Sequence, residues 1–374
     1  MVIGIDVRAL QGHTGGVQEY TRHIVRSLLA TEKQHQYILF SNSWNGNPPV
    51  DFSPRGPFHQ TCHVRYPNKL LHASITASHR PRIDDLLYHY TGLRVNLLFY
   101  PNIHFVAHTP HIPNVLTVHD LSFHYCPDLY SRKDRLWHSA VRSRHIIEGA
   151  THILAVSQWT RHDIMATFGI GDDRITVTPL DCADEFYDHG QSDRKQKSNL
   201  ILLFGADHLR KNAEGMRAAF HHARVRSGVL KKYTLMLIGR WSGISRELLA
   251  AGPQSSIVFR ESVSSSERIE LYRRAALVVF PSFMEGFGIP LLEAARMRIP
   301  LLTANHSSIG EVIGRGAYYV DPYNIGDMSS ALIELLSDKS LVASLTDDAL
   351  AAAQTFSWER TAALTRSVFD RTYV

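Results

Sequence analysis

The sequence predicts an α/β protein built from two Rossmann-like, doubly wound parallel-sheet domains. Three observations predict it. Short apolar runs rich in β-branched and aromatic residues recur along the chain, among them Leu97-Leu-Phe-Tyr100, Asn114-Val-Leu-Thr-Val118, Asn199-Leu-Ile-Leu-Leu-Phe204 and Ala276-Leu-Val-Val-Phe280, with helical patterns between them. A wholly polar stretch, residues 187–198, interrupts this alternation near the middle and reads as a linker. The 374 residues also exceed the usual size of one domain. The expected division is therefore a first domain over 1–186, a linker over 187–198 and a second domain over 199–356. Two such domains place a cleft between them, and ligands of these sheets bind at the C-terminal ends of the strands.

The first half opens on the strand Val2-Ile-Gly-Ile-Asp6. The loop Gln11–Val17, containing Gly15-Gly16, and an amphipathic helix over about 18–30 follow it. Strand, glycine-rich loop and helix is an arrangement that can hold a phosphate, although Gly15-Gly16 also suits a plain turn, and no G-x-G-x-x-G is present. Further strands are expected at Gln36–Ser41, Cys62–Tyr66, Leu97–Tyr100, Asn114–Val118, His152–Val156 and Arg174–Thr178. Helices are expected within 68–90, over Ser131–Gly149 as one element, and from the cap Ser157 to Phe168. The strand at Asn114–Val118 runs straight into His119-Asp120, which puts His119 at the ligand-facing edge. Asp120 either tunes the charge of His119 or caps the turn.

In the second half, strands recur at Asn199–Phe204, Tyr233–Ile238, Ile257–Phe259, Leu277–Phe280, Leu301–Thr303 and Tyr318–Val320. Arg210-Lys211-Asn212 lies after the first of them, at a strand-to-helix turn. Cations there oppose the helix dipole, so either they are solvated or they serve phosphate oxygens. The strand ending at Phe280 leads into Pro281-Ser-Phe-Met-Glu-Gly-Phe-Gly-Ile-Pro-Leu-Leu-Glu293. Gly286 and Gly288 punctuate a loop, and Pro290 suits the first turn of a helix because its missing N–H is not needed there. A helix N-terminus offers free N–H groups and partial positive charge to an anion. Glu293 lies roughly 6 Å into that helix from Ile289 at ~1.5 Å per residue, while the loop can carry Glu285 up to ~14 Å from the helix start. A diphosphate held by N–H groups, with a carboxylate at either end for sugar hydroxyls, describes a nucleotide-sugar clamp. Two solvated glutamates at the same spacing are the plain alternative.

Composition narrows the function class. Hydrophobic content is 44% and charged content 20%, as in a soluble globular protein. No apolar run is long enough to span a bilayer, and the first residues read as a strand rather than a signal peptide. The three cysteines, Cys62, Cys126 and Cys182, lack metal or redox spacing, so a reducing, cytoplasmic location without disulfides is expected. Net charge is +5 and the pI is near 9.0. That suits anionic small substrates, an anionic membrane surface or nucleic acid, but no nucleic-acid motif is present, so no nucleic-acid partner is expected.

These residues together resemble the family 4 glycosyltransferases, a retaining group with the GT-B fold. The resemblance is carried by Gly4-Ile-Asp6 through Gly15-Gly16-Val17 and Tyr20, by Thr117-Val-His-Asp-Leu121, Ala155-Val-Ser-Gln158 and Ile175-Thr-Val-Thr-Pro179, by Arg210-Lys-Asn212, by Phe280–Glu293 and by Ser357-Trp358-Glu359. It implies a two-domain enzyme whose last helix, within 357–374, returns to the first domain. It implies that Glu285 contacts the donor sugar and Glu293 the ribose. The amides of Phe287, Gly288 and Ile289 would face the sugar and diphosphate, and Arg210 and Lys211 would neutralise the leaving diphosphate. Gly16 would let the donor phosphate approach the first loop, and His119 would sit near the transferred sugar. His119, Glu285 and Lys211 are thus the expected catalytic groups. One departure stands out: many members carry arginine where this chain has Ala206, so one diphosphate cation is missing or supplied elsewhere.

The expected activity is retaining, metal-independent transfer of a hexose to a saccharide or lipid-linked acceptor. No cofactor is expected beyond the nucleotide-sugar co-substrate. The likeness to mannosyltransferases of bacterial polysaccharide assembly points to GDP-mannose, with a UDP-sugar as the alternative. The base is expected near Phe259–Val263. Peripheral membrane contact would suit a lipid-linked acceptor. A nucleotide-sugar epimerase of the same fold and a non-catalytic binding protein are the rival classes.

Overall fold

A computed structural model describes residues 1–11, 15–31, 34–46, 58–187, 198–239 and 256–373. The chain divides into two compact units. The first comprises Met1–Tyr125, Ser131–Leu180 and Ser357–Val374; the second comprises Cys126–Tyr130 and Asp181–Phe356. Of the expected linker, residues 188–197 lie outside the described residues, as do 12–14 of the first glycine loop.

The first unit is built on a seven-stranded sheet: β1 (Val2–Asp6), β2 (Gln36–Asn42), β3 (His59–Val64), β4 (Leu97–Tyr100), β5 (Asn114–Val118), β6 (His152–Ala155) and β7 (Ile175–Val177). The order is β3-β2-β1-β4-β5-β6-β7, and every pairing is parallel. Strands β4 and β5 are buried along their whole length, which explains their apolar or β-branched composition after Asn114 at the start of β5. The chain lays β1, β2 and β3 in one direction and β4 to β7 in the other. The connections leaving β1 and β4 therefore diverge, and the space between them is the place where doubly wound sheets hold ligands. The helix Gly16–Thr31 buries Tyr20, Ile24, Val25 and Leu28. The final helix, Trp358–Thr372, returns to this unit and packs on Gly16–Thr31. It buries Val368 and Phe369, whose ring meets Phe99 of β4 at 5.2 Å.

Two expectations here are corrected. The third strand is His59–Val64 rather than 62–66, because its register is set by parallel pairing from Tyr37↔His59 to Asn42↔Val64. The single helix expected over 131–149 is two, Arg132–Val141 and Ser143–Gly149, separated by Arg142 at φ 58°. The Ser143 hydroxyl donates to His138 O at 3.2 Å, a side-chain-to-backbone bond that competes with the helical ladder at the break.

The second unit has a six-stranded parallel sheet: β8 (Leu200–Phe204), β9 (Thr234–Ile238), β10 (Ile257–Arg260), β11 (Ala275–Phe280), β12 (Leu301–Ala304) and β13 (Tyr318–Val320). Its order, β10-β9-β8-β11-β12-β13, again reverses direction, here between β8 and β11. The core is formed by Ile201, Leu203, Leu235, Leu237, Leu277 and Val279 from the sheet, with Met216, Phe220 and Leu332 from helices. Burying Phe220 completely contributes roughly 1.5–3 kcal/mol. The helix Ser265–Arg274 begins with a reciprocal cap in which Ser264 and Glu267 satisfy each other's backbone N–H groups.

Candidate active site

Residues singled out from the sequence gather at the β8/β11 reversal. After β8 the chain turns at Gly205, where φ is +74°. A Cβ there would lie 3.3 Å from Lys211 Cε, so glycine both adopts the turn and leaves room for the lysine stem. Arg210 and Lys211 sit in a short 3-10 segment, Leu209–Lys211. Asn212 at φ 55° ends that segment and accepts from Gly215 N–H, starting the helix Ala213–Arg226. Its side-chain amide also donates to Pro322 O at 2.7 Å. The cations are thus mounted on a rigid turn rather than a solvated helix start.

Across the reversal, β11 runs into the loop that carries Glu285. The Phe283 N–H donates to Arg210 O at 2.8 Å, tying this loop to the cation segment. Arg210 Nη1 also donates to Met284 O at 3.2 Å. Glu285 is buried, and its Oε1 lies 2.8 Å from Arg210 Nη1 and 2.6 Å from Lys211 Nζ. The Lys211 ammonium also stands 4.2 Å above the centre of the Phe280 ring. Burial pushes the Glu285 carboxyl up, but Arg210 and Lys211 together overcome this and hold it down at about 2. The Glu285 backbone is fixed as well. Its N–H donates to Ser307 Oγ at 2.9 Å, and Ser308 Oγ donates to its carbonyl at 3.0 Å. Ser307 itself is held at φ 56°, an uncommon conformation for a non-glycine residue.

The loop ends at Gly288, whose φ of 96° makes it the left-handed cap of the helix Ile289–Arg296, with Pro290 in the first turn. Phe287 is buried and Ile289 is the first helical residue. The first N–H groups of such a helix have no partner within it. Glu293 is buried one turn in. Its Oε2 accepts from Tyr272 Oη at 2.6 Å and from Arg268 Nη2 at 2.5 Å. No described group bonds its other oxygen. Tyr272 is stacked on Phe204 at 5.0 Å, and the Arg268 guanidinium lies over the same ring at 4.8 Å. Burial first, and then the Glu293 charge, raise the Tyr272 hydroxyl far above its usual range, so it remains a donor.

Arg268 and Tyr272 are members of this cluster that the sequence reading missed. Their signal was present: the Ser264/Glu267 cap fixes a helix on which positions 268 and 272, four apart, share a face. Nothing in the spacing to Glu293 reveals their partner.

His119 and Gly16 belong to the first unit. Following β5, His119 Nε2 bonds Pro101 O at 2.9 Å, so the imidazole spans the ends of β4 and β5. Its ring meets the edge of Tyr20 at 4.8 Å. Burial lowers its pKa, against the opposing influence of the Pro101 carbonyl and Asp120, so it is a neutral group at pH 7. Asp120 is chiefly a cap: Oδ1 accepts from the Ser122 N–H at 2.9 Å and from its hydroxyl at 2.5 Å. Gly16 opens the helix Gly16–Thr31, and among the described residues a Cβ there would meet nothing within 4 Å, so no described contact demands glycine.

Residues 14–180 match the family described as Glycosyltransferase Family 4, and residues 184–351 match the Glycosyl transferases group 1 family. The chain is 31% identical over 257 residues to the O-antigen chain mannosyltransferase B of Escherichia coli, covering 66% of this chain and 67% of that protein. The chain belongs to the family 4 glycosyltransferases. This glycosyltransferase is also 28% identical over 289 residues to the O-antigen chain mannosyltransferase RfbU of Salmonella typhimurium, covering 74% of the chain and 77% of the relative. Among solved structures, the sucrose-phosphate synthase of Thermosynechococcus elongatus superposes with a TM-score of 0.77 over 99% of this chain and 98% of that one, at 16% identity. That likeness speaks to the fold, and the two parallel-sheet units are those of the GT-B architecture. The enzyme's substrates are a nucleotide sugar and a saccharide acceptor, as its family membership implies. Among the described residues no helix is long and apolar enough to cross a membrane.

Proposed function

We propose that this glycosyltransferase moves mannose from GDP-mannose to a saccharide or lipid-linked saccharide, with retention of anomeric configuration and without a metal ion. One observation carries the reading. At the β8/β11 reversal two fixed cations, a helix N-terminus and two buried carboxylates converge, which is the set of groups a departing sugar diphosphate needs.

In this reading Arg210, Lys211 and the amides of Phe287, Gly288 and Ile289 stabilise charge as it develops on the leaving diphosphate. Glu293 takes a ribose hydroxyl on the oxygen left open by Arg268 and Tyr272. Glu285 takes hydroxyls of the transferred sugar. The acceptor attacks from the face the diphosphate leaves, and its proton passes to the diphosphate. The bond from the anomeric carbon to the diphosphate oxygen breaks as the bond to the acceptor oxygen forms, so no enzyme nucleophile is required. His119, neutral and fixed by Pro101, orients the sugar through hydrogen bonding. Side-chain cations supply the charge that a divalent ion would otherwise bring, which is why we assign no metal to the reaction. Mannose as the sugar follows the names of the two relatives.

A lipid-linked acceptor would bring the first unit against a membrane. Leu70 and Leu136, 67% and 72% exposed, stand beside the exposed Lys69, Lys133 and Arg135, and this supports peripheral contact on the cytoplasmic face.

The test is a screen of nucleotide sugars by thermal shift, followed by product analysis with NMR of the anomeric proton in the presence of a chelator. GDP-mannose is expected to stabilise the protein most and to give a retained α-linkage in chelator. Selective stabilisation by a UDP-sugar would replace the donor assignment, and loss of turnover in chelator that a divalent ion restores would overturn metal independence.

A further inference from the structure

The reading above gives the cations to the diphosphate and Glu285 to the sugar. Yet these three groups are ion-paired with one another. Glu285 Oε1 is shared by Arg210 and Lys211 at 2.8 and 2.6 Å. The carboxylate stays ionised, its backbone is pinned by Ser307 and Ser308, and Arg210 is anchored by its own bonds to the loop. The loop is thus held in place while the carboxylate remains free to rotate about its side chain, so an arriving anion must share the cations with this negative charge or turn it aside.

We infer that Glu285 is an internal stand-in for the diphosphate, and that donor binding is an exchange of partners. The diphosphate displaces the carboxylate from Arg210 and Lys211, and the released carboxylate turns to the hydroxyls of the sugar. This inference rests on the proposed donor site. Three consequences follow from elementary electrostatics. Before the donor binds, one carboxylate relieves the repulsion between two adjacent, largely buried cations. A nucleoside diphosphate without its sugar binds poorly, because it repels Glu285 and offers that carboxylate no hydroxyl in return. The complete nucleotide sugar compensates the displaced group on both sides. After transfer, the sugar has left, the carboxylate regains its cations, and the diphosphate is expelled. Glu285 would thus couple sugar recognition to diphosphate binding and speed product release, a step that often limits turnover.

The experiment compares the wild type with Glu285→Gln, Glu285→Ala, Lys211→Ala and the Lys211→Ala/Glu285→Gln double variant. Affinities for GDP, UDP, inorganic pyrophosphate and the two nucleosides guanosine and uridine are measured by calorimetry. Both Glu285 variants are expected to bind the diphosphates and pyrophosphate more tightly than the wild type, by at least about tenfold, the scale of removing one like charge from a partly desolvated anion site. Nucleoside affinity stays the same, and the gain shrinks when Lys211 is also absent. The preference for GDP-mannose over GDP collapses in the same variants. Because two cations without their carboxylate can weaken the fold, the rise in Tm produced by pyrophosphate is a second readout, and it is expected to be larger in the variants than in the wild type. Unchanged or weaker diphosphate binding by both Glu285 variants, with Lys211→Ala still weakening it, would overturn the exchange and leave the donor site standing. Diphosphate binding indifferent to Lys211→Ala would remove the donor site and the exchange with it.

Discussion

The two sheets reverse direction at matching places, β1/β4 in the first unit and β8/β11 in the second, but they furnish those places with different electrostatics. At the first, Asp6 and Arg8 are a one-to-one pair: both are buried, Arg8 Nη2 lies 2.6 Å from Asp6 Oδ2, and the same nitrogen donates to Phe105 O at 2.8 Å. The imidazoles around that pair are held neutral. Burial, reinforced by the Arg8 charge, lowers His72 to about 4 and His104 to about 3. At the second reversal, two cations share one carboxylate, so that trio carries a net positive charge. One topology therefore presents a charge-balanced, aromatic-lined edge in one unit and a cationic edge in the other. A neutral polyhydroxyl compound loses little at the first, while an anion gains at the second.

The comparison can be broken in several places. The largest effect is expected at Asp6→Asn, which leaves the buried Arg8 guanidinium without its counter-charge; a loss of about 3–5 kcal/mol in unfolding free energy is expected by denaturant titration. A cost below about 1 kcal/mol would show that the first edge is not charge-balanced by this pair. Next comes Lys211→Ala, which should reduce turnover by at least ~100-fold with far-UV circular dichroism unchanged, the scale of losing a partner for transition-state charge. Unaltered turnover would reject its assignment to the leaving group. Tyr272→Phe removes one donor to the Glu293 carboxylate, a bond to a charged group of about 1.5–3 kcal/mol. Its expected signature is a donor KM raised about tenfold with kcat much less affected, and equal falls in both would place Tyr272 elsewhere in the mechanism.

The smallest effect concerns pH. The native pKa of His72 and His104 is lowered, so the unfolded chain takes up protons first as pH falls below about 6.5. Their contribution to stability is full above that value and is lost as pH drops through about 4 and then about 3. The Glu285 contribution is full above the usual carboxylate range and is lost as pH falls from there through about 2. Hydrogen exchange should therefore show protection in β1 and β4 declining at higher pH than protection in β8 and β11. Simultaneous loss in both sheets would erase this distinction between the two edges.

Much of this architecture was legible in the sequence, and the reason is burial. Leu97–Tyr100 and Asn114–Val118 were read with their observed bounds because central parallel strands are buried on both faces and consist mostly of apolar or β-branched residues. Elements governed by pairing or by local side-chain bonds were less legible, as with the start of β3 and the break at Arg142. The site divided in the same way. Glycine loop, helix start and both glutamates could be placed because they are consecutive. That Glu285 would rest on Arg210 and Lys211 could not be seen, since the pairing depends on β8 and β11 being neighbours in the sheet. The Asp6–Arg8 pair left only opposite charges two residues apart at a strand end, a pattern too common to single out.

The returning helix has a consequence for how the protein is made. Trp358, Thr365, Val368 and Phe369 fill the first unit's interior, yet they follow the whole of the second unit along the chain. During synthesis on the ribosome, the opening half must wait, its apolar flank uncovered, while the later half emerges and folds. The unit begun first is finished last, and the nascent chain is most in need of chaperone protection during that interval.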